Sequence, residues 1–278
     1  MALDLRPLTA AELLDRTFFL YRKHFPLFIG IVALPLLVVL LSNVAYLFYT
    51  GMQSPTNASE ALWEIVRPER FVVSIIQLLA SLFAQGATVA AVSDVYLERP
   101  AGIGQSFARL RGNILSILFA MIFMGMAIGF GLILLIVPGI IIAVALSLTI
   151  PAVVIENRTP VDAMKRSWDL TRDGRWRVFT VFVLYFIVSI VVSLIFELPG
   201  LIMGTVLKFG DPSNVSALPQ IVTQIGTFFA SCLVTPLGTI ASSLLYYDQR
   251  VRKEGFDLHL MISSLKSKVD GTPYPENF

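Results

Sequence analysis

Residues 112–155 contain no charged side chain, and this long apolar window limits the chain to few folds. A helix needs about 20 apolar residues to cross the hydrocarbon of a bilayer. The window is therefore too long for one membrane span and fits two. The sequence Val137-Pro138-Gly139 predicts the break between them, because glycine tolerates a turn and proline suits the first turn of a helix.

Apolar runs elsewhere in the chain predict four more spans. Only 14% of the residues are charged, against about 25% in soluble domains, so we expect an all-α integral membrane protein. Residues 1–247 would form a single membrane domain and residues 248–278 a cytoplasmic C-terminal segment. The sequence leaves open whether residues 198–207 extend the fifth span or lie on the outer surface. The six spans are predicted at about 25–49, 71–95, 113–136, 138–156, 178–197 and 221–247.

The distribution of positive charge predicts the orientation. Lysine and arginine favour the cytoplasmic side of a membrane protein. With six spans, 18 of these residues lie on the side of the two termini and 3 on the other side. We therefore expect both termini to be cytoplasmic.

Two amphipathic helices are predicted on the cytoplasmic side, at residues 9–24 and 160–173. Thr9 with Glu12, and Thr159 with Asp162, have the spacing of a capping box at a helix start. Apolar residues follow at helical spacing, so each helix is expected to lie in the membrane interface. In the second helix these are Val161, Met164 and Trp168, and the pairs Asp162/Arg166 and Lys165/Asp169 have ion-pair spacing.

Three spans end in similar acidic and basic sequences, which suggests three copies of one helical-hairpin unit. The alternative is that membrane helices generally end in charged and aromatic flanks. These ends and the second amphipathic helix give the candidate cytoplasmic interface. Its residues are Glu98, Arg99, Glu156, Arg158, Arg166, Trp168, Arg172, Asp248 and Arg250.

Polar side chains line one face of the second span and one face of the sixth. Lipid offers no hydrogen-bond partner, so we expect both faces to point into the protein and toward each other. They would either bond between helices or line a solute path. The candidate interior residues are Ser74, Gln77, Ser81, Gln85, Thr88, Gln224, Ser231 and Thr235. Gly125 and Gly129 have the spacing of a close-packing motif.

Catalytic, metal and cofactor motifs are not expected. The single cysteine, Cys232, excludes an internal disulfide, and the two histidines, His24 and His259, flank the membrane far apart in sequence. A net charge of +2 gives no reason to expect nucleic acid. The expected partners are membrane lipid and a second membrane protein, while the oligomeric state stays open.

Three stretches together resemble the bacterial glycerophosphoryl diester phosphodiesterase membrane-domain family. They are LRPLTAAELLDRTFFLYRKHF (5–25), PAVVIENRTPVDAMKRSWDLTRDGRWRVF (151–179) and LLYYDQRVRKEGFDL (244–258). The resemblance implies a multi-span protein of the bacterial inner membrane. Some members carry a hydrolase domain after this region, but its catalytic motif is not found here, so the resemblance implies no activity.

The function that these observations favour is a non-enzymatic scaffold or regulatory partner in the membrane. The alternative is a transporter of a solute or lipid-related molecule, using a polar path between spans two and six. A membrane-embedded hydrolase is supported only by the name of the family that the chain resembles.

Overall fold

A computed structural model describes residues 9–50, 67–210 and 218–254, and their regular elements are helical. Most of the predicted C-terminal segment, residues 255–278, lies outside the described part. The helices are α1 (Ala10–Lys23), α2 (Phe25–Tyr49), α3 (Pro68–Tyr96), α4 (Ile103–Arg109), α5 (Ile114–Leu134), α6 (Ile136–Leu146), α7 (Thr149–Glu156), α8 (Pro160–Thr171), α9 (Arg175–Gly210) and α10 (Leu218–Glu254).

The described residues contain six helical segments that are long and apolar enough to cross a membrane, as predicted. They are α2, α3, α5, the combined segment Ile136–Glu156, residues Arg175–Leu207 of α9, and α10. The fourth span consists of α6 and α7, which are separated at Ser147 and Leu148. The fold is thus that of an all-α integral membrane protein.

The break between the third and fourth spans was predicted at the wrong residues. It lies at Leu135, whose extended backbone (φ −161°, ψ 146°) separates α5 from α6. Pro138 belongs to the first turn of α6, where no intrahelical donor is needed. Gly139 lies inside α6, and a Cβ there would overlap the backbone and side chain of Leu132. Glycine is therefore required at this position for close helix contact rather than for the turn.

The fifth span is longer than predicted. α9 continues from Arg175 through Pro199 to Gly210, so residues 198–207 extend the span as helix. A Cβ at Gly226 of α10 would overlap the carbonyl of Phe196 in α9, and one at Gly200 would overlap Thr223. These glycines let α9 and α10 pack closely along their length.

The spans pair as three consecutive hairpins, and the second member of each pair is the inner one. In the most apolar window of the second members, 56%, 56% and 61% of residues are buried. The corresponding values for the first members are 22%, 17% and 11%. α3 contacts α7 and α10, so the three inner helices meet in the centre of the bundle. The predicted three-unit repeat agrees with this arrangement and stays a prediction.

The two helices that were predicted to be amphipathic, α1 and α8, begin at the predicted caps. The Thr9 hydroxyl accepts a hydrogen bond from the Glu12 amide at 3.2 Å, and the Glu12 carboxylate accepts one from the Thr9 amide at 2.8 Å. At the start of α8, the Thr159 hydroxyl accepts a hydrogen bond from the Asp162 amide at 3.4 Å.

Each of these two helices buries one face against the bundle. Leu13 and Thr17 of α1 and Ala163 of α8 are buried, whereas Phe18, Val161 and Trp168 face outward.

Candidate functional site at the charged end of the bundle

The position of α8 is fixed by the interruption in the fourth span. A helix break leaves backbone donors and acceptors unpaired, which is costly in an apolar setting. The Ser167 hydroxyl accepts from the Leu148 amide at 3.1 Å and donates to the Ala145 carbonyl at 2.7 Å. The Thr171 hydroxyl also lies 3.3 Å from that carbonyl. Ser167 and Thr171 are fully buried, so α8 supplies the polar partners that the broken span lacks.

Beside α8, the end of the fourth span carries a carboxylate surrounded by arginines. Glu156 pairs with Arg158 at 2.5 Å and Arg166 at 3.0 Å, and Arg250 lies 3.5 Å away. The Tyr246 hydroxyl donates a hydrogen bond to the same carboxylate. The side chain of Glu156 is only 12% exposed, so these partners replace most of its water. We call Glu156, Arg158, Arg166, Tyr246 and Arg250, together with Glu254, the Glu156 cluster.

Arg166 joins two helices within this cluster. Its guanidinium binds Glu156 and forms an ion pair with Glu254 of α10. Burial disfavours the charged form of Arg166, but hydrogen bonds to Glu254 and Glu156 outweigh it and raise its pKa above the usual value. The guanidinium is therefore a permanent positive charge. The Arg250 Nε lies 3.5 Å from Glu156 of α7 and 3.3 Å from Glu254 of its own helix, so α7, α8 and α10 are joined in one cluster.

The other two inner helices also carry a buried carboxylate at this end. Asp248 of α10 is 1% exposed and binds Arg177 of α9 at 2.8 Å and Arg252 at 3.0 Å. Asp94 of α3 is 10% exposed and pairs with Arg109 of α4. Each inner helix therefore holds one buried carboxylate that an arginine from a different helix neutralises.

α3 and α10 meet directly at the same end. The Tyr247 hydroxyl lies 2.9 Å from the Ser93 hydroxyl, and the ring of Tyr247 stacks on that of Tyr96 at 4.6 Å between centroids. Ser93 and both tyrosines are buried. Spans two and six therefore contact each other, through aromatic and hydroxyl groups near their charged ends.

The candidate interface residues are only partly brought together. Glu156, Arg158, Arg166 and Arg250 meet in one cluster, and Asp248 holds a neighbouring one. The remaining four are Glu98, Arg99, Trp168 and Arg172, and they lie outside both. Glu98 is exposed with φ 56°, Arg99 is half-buried and Arg172 is exposed. Trp168 is 40% exposed and lies under the guanidinium of Arg175 at 4.6 Å.

Several residues of the site were missed by sequence reasoning. Tyr246 lies inside a predicted span, Arg177 lies just before one, and Glu254 lies in the predicted C-terminal segment, and no local motif marks any of the three. Arg166 was predicted to pair with Asp162 but instead points to Glu156, while the Asp162 carboxylate accepts from the Thr159 hydroxyl at 2.6 Å. Residues four apart lie on the same face of a helix, but the rotation of α8 against the bundle determines which carboxylate Arg166 contacts.

The candidate interior residues differ in how exposed they are along α3 and α10. In α3, Thr88 is buried, Ser81 and Gln85 are half-buried, and Ser74 and Gln77 are exposed. The prediction that the whole stripe points inward is therefore wrong for Ser74 and Gln77, because α3 is covered mainly in its charged half. The Ser74 hydroxyl donates to the Arg70 carbonyl within its own helix at 2.9 Å. In α10 the predicted residues are all half-buried; these are Gln224, Ser231 and Thr235.

The chemistry available at the charged end is that of charge pairing. Within the described ranges, histidine, cysteine, aspartate and glutamate form no group of three suited to a metal ion. The buried carboxylates are acceptors for arginine and tyrosine. Asp173, which is largely exposed, pairs with Lys253 at 2.6 Å, and that lysine lowers the pKa of the carboxyl.

These features define a multi-span, all-helical membrane protein whose inner helices are joined at one end by buried ion pairs. A family model for DUF7847, a domain of unknown function, matches residues 27–249, and the chain belongs to that family. No curated protein and no solved structure matches the chain significantly. The matched family gives no support for the resemblance to the phosphodiesterase membrane-domain family, which stays a prediction.

Proposed function

We propose that the protein is a non-enzymatic membrane scaffold or regulatory partner that presents a rigid charged face on the cytoplasmic side. The observation that carries this proposal is the pairing of the three buried carboxylates, Asp94, Glu156 and Asp248, with arginines of other helices. Carboxylates whose oxygens are already paired with arginines join helices to one another and are poorly placed to exchange a proton with a substrate.

The proposal includes the orientation and the cell compartment. The excess of lysine and arginine at the charged end supports cytoplasmic termini, and the resemblance found in the sequence supports a bacterial inner membrane. The partner would be a membrane protein that meets the exposed side chains of this face. Arg172 and Trp176 are two such side chains, both exposed at the junction of α8 and α9.

The test is purification in native lipid particles followed by mass spectrometry of the proteins that co-purify. A scaffold should retain a partner in fixed stoichiometry. The charge reversal Arg172→Glu should release it, while Arg67→Glu, at the opposite end of the bundle, should not. If both variants retain the same proteins as the unmodified chain, or neither retains any, the proposed docking face is wrong.

Transport is the second candidate function, and one observation favours it. Ser81, Gln85, Gln224, Ser231 and Thr235 are half-buried polar residues on two inner helices. The test is a cysteine at Ser231 in a Cys232→Ala background. Labelling by a water-soluble reagent that a solute blocks would favour transport, whereas exclusion of the reagent from both sides would favour the scaffold.

A further inference from the structure

A groove of 690 Å³ lies where α8 crosses the third and fourth spans. Phe123 of α5, Leu146 of α6 and Met164 of α8 line it, so its inner surface is apolar. Val161 and Trp168 complete the apolar wall and are 50% and 40% exposed. The volume lies within the range of about 300–1,000 Å³ that is typical of small-molecule sites.

The groove opens toward the membrane. Its walls α5 and α6 belong to candidate spans, and residues beside it on these helices, such as Phe119 and Ile141, are exposed. Phe123 lies nine residues beyond the start of α5 at Ile114, which corresponds to about 14 Å along a helix. That depth is close to half of the roughly 30 Å hydrocarbon thickness. The groove therefore extends through about one leaflet.

Two opposite charges stand at the groove. Lys165 and Asp169 both line it, and both are exposed. Residues four apart on a helix are neighbours, with Cβ atoms about 5–6 Å apart. Within the described part of the chain neither side chain forms an ion pair, although the Asp169 carbonyl accepts from Lys253 at 2.5 Å. A positive and a negative group thus lie side by side above an apolar wall.

We propose that this groove binds a zwitterionic phospholipid that carries a primary ammonium, such as phosphatidylethanolamine, from the leaflet at the charged end. Lys165 binds the phosphate and Asp169 binds the ammonium, and one acyl chain lies along Phe123, Leu146 and Met164. An anionic lipid would place its negative headgroup beside Asp169. A choline headgroup has no N–H to donate to that carboxylate.

The experiment uses Trp168 as a reporter of the lipid beside it. Trp63→Phe with Trp176→Phe leaves Trp168 alone, while Trp63→Phe with Trp168→Phe leaves Trp176, which is 78% exposed and outside the groove. Each protein is placed in vesicles that mix phosphatidylethanolamine, phosphatidylcholine and phosphatidylglycerol. One lipid at a time carries brominated acyl chains, at a constant mole fraction, and quenching of fluorescence measures its occupancy.

Brominated phosphatidylethanolamine should quench Trp168 with about threefold higher apparent affinity than either other lipid, as expected for two exposed charge contacts. Trp176 should be quenched equally by all three. Asp169→Asn should abolish the preference over phosphatidylglycerol, and Val161→Phe, which fills the groove, should abolish every preference. Both residues are exposed, so the fold should persist, which helical circular dichroism checks.

Three results would overturn the proposal. Equal quenching of Trp168 by all three lipids would mean that the groove is ordinary lipid-facing surface. A preference for phosphatidylglycerol would mean that Asp169 does not select the headgroup. Quenching by acrylamide without quenching by any brominated lipid would place the groove in water.

Discussion

Glu156 is the residue on which the charged end of the bundle most depends. Its carboxylate is shared among Arg158, Arg166 and Arg250 and accepts a hydrogen bond from Tyr246. Arg166 and Arg250 are only 17% and 14% exposed, so water replaces this carboxylate poorly, and Glu254 alone would be left to balance both guanidiniums. Breaking a buried ion pair by removing one partner is costly, because the other charge stays buried.

Replacing Glu156 by glutamine should therefore lower the free energy of unfolding by about 3 kcal/mol. Glutamine keeps the size of the side chain, so the loss would report the charge. Thermal unfolding in detergent, followed by circular dichroism, measures it. The control is Asp173→Asn, because Asp173 is 76% exposed where it pairs with Lys253 and should leave the midpoint unchanged. Equal effects of the two substitutions would contradict a structural role for the cluster.

Ser167 gives a second prediction at the residue scale. Ser167→Ala should lower stability by about 1–3 kcal/mol, because the Leu148 amide loses its partner in an apolar setting and the Ala145 carbonyl keeps only the 3.3 Å contact with the Thr171 hydroxyl. Hydrogen exchange at Leu148 should also become faster. Ser147→Ala is the matched control, since among the described residues that hydroxyl bonds to the Val144 carbonyl one turn earlier and to no other helix. If both variants exchange alike, α8 does not cap the break.

At the scale of elements, the contact between α9 and α10 depends on glycine. Gly226→Ala should lower stability by about 1–3 kcal/mol, because the added Cβ would overlap the Phe196 backbone, which cannot move independently. The control is Gly125→Ala in α5, where a Cβ would meet nothing within 4 Å. That change should be neutral or stabilising, since alanine favours helix over glycine by about 1 kcal/mol. Thermal unfolding of both variants checks the difference.

The glycines that make close helix contacts are not the ones that the sequence predicts. Gly125 and Gly129 have the spacing of a packing motif, yet a Cβ at either would meet no neighbouring atom within 4 Å. Gly139, predicted to form a turn, instead lies at the crossing of α5 and α6. A glycine in the sequence is compatible with either a close helix contact or a turn. Which of the two occurs depends on how the helices cross.

The existence and order of the helices could be predicted because the signals are local. Apolar runs fix the spans, and Thr9 with Glu12 fixes the start of α1. The pairing of charges could not be predicted in the same way. Asp94 with Arg109 and Arg166 with Glu254 join separate helices, and their meeting depends on helix rotation. Glu98 matched the ends of other spans in sequence, but its left-handed backbone (φ 56°) turns it outward.

At the scale of the whole molecule, ion pairs connect the helices at the charged end, whereas apolar side chains cover the rest of the bundle. The three inner helices each place one buried carboxylate at this end, where an arginine of another helix neutralises it. The outer helices cover them with surface that suits lipid, such as Phe186 and Ile195 in α9, which are exposed. Ion pairs therefore join, at one end, helices that elsewhere contact one another through apolar faces and close glycine contacts.

The orientation of this bundle gives the last prediction. The helices α1, α4 and α8 adjoin the charged end, and 18 lysine and arginine residues were assigned to that side against 3 to the other. We expect the charged end to be cytoplasmic, because positive charge is retained on that side.

The measurement is labelling of single cysteines in intact cells by a maleimide that cannot cross membranes, in a Cys232→Ala background. Asp162→Cys lies exposed on α8 and Arg67→Cys lies exposed beside α3 at the other end. Arg67→Cys should be labelled in intact cells and Asp162→Cys only after lysis. The reverse pattern would invert the orientation, and labelling of both in intact cells would contradict six spans that separate these two ends.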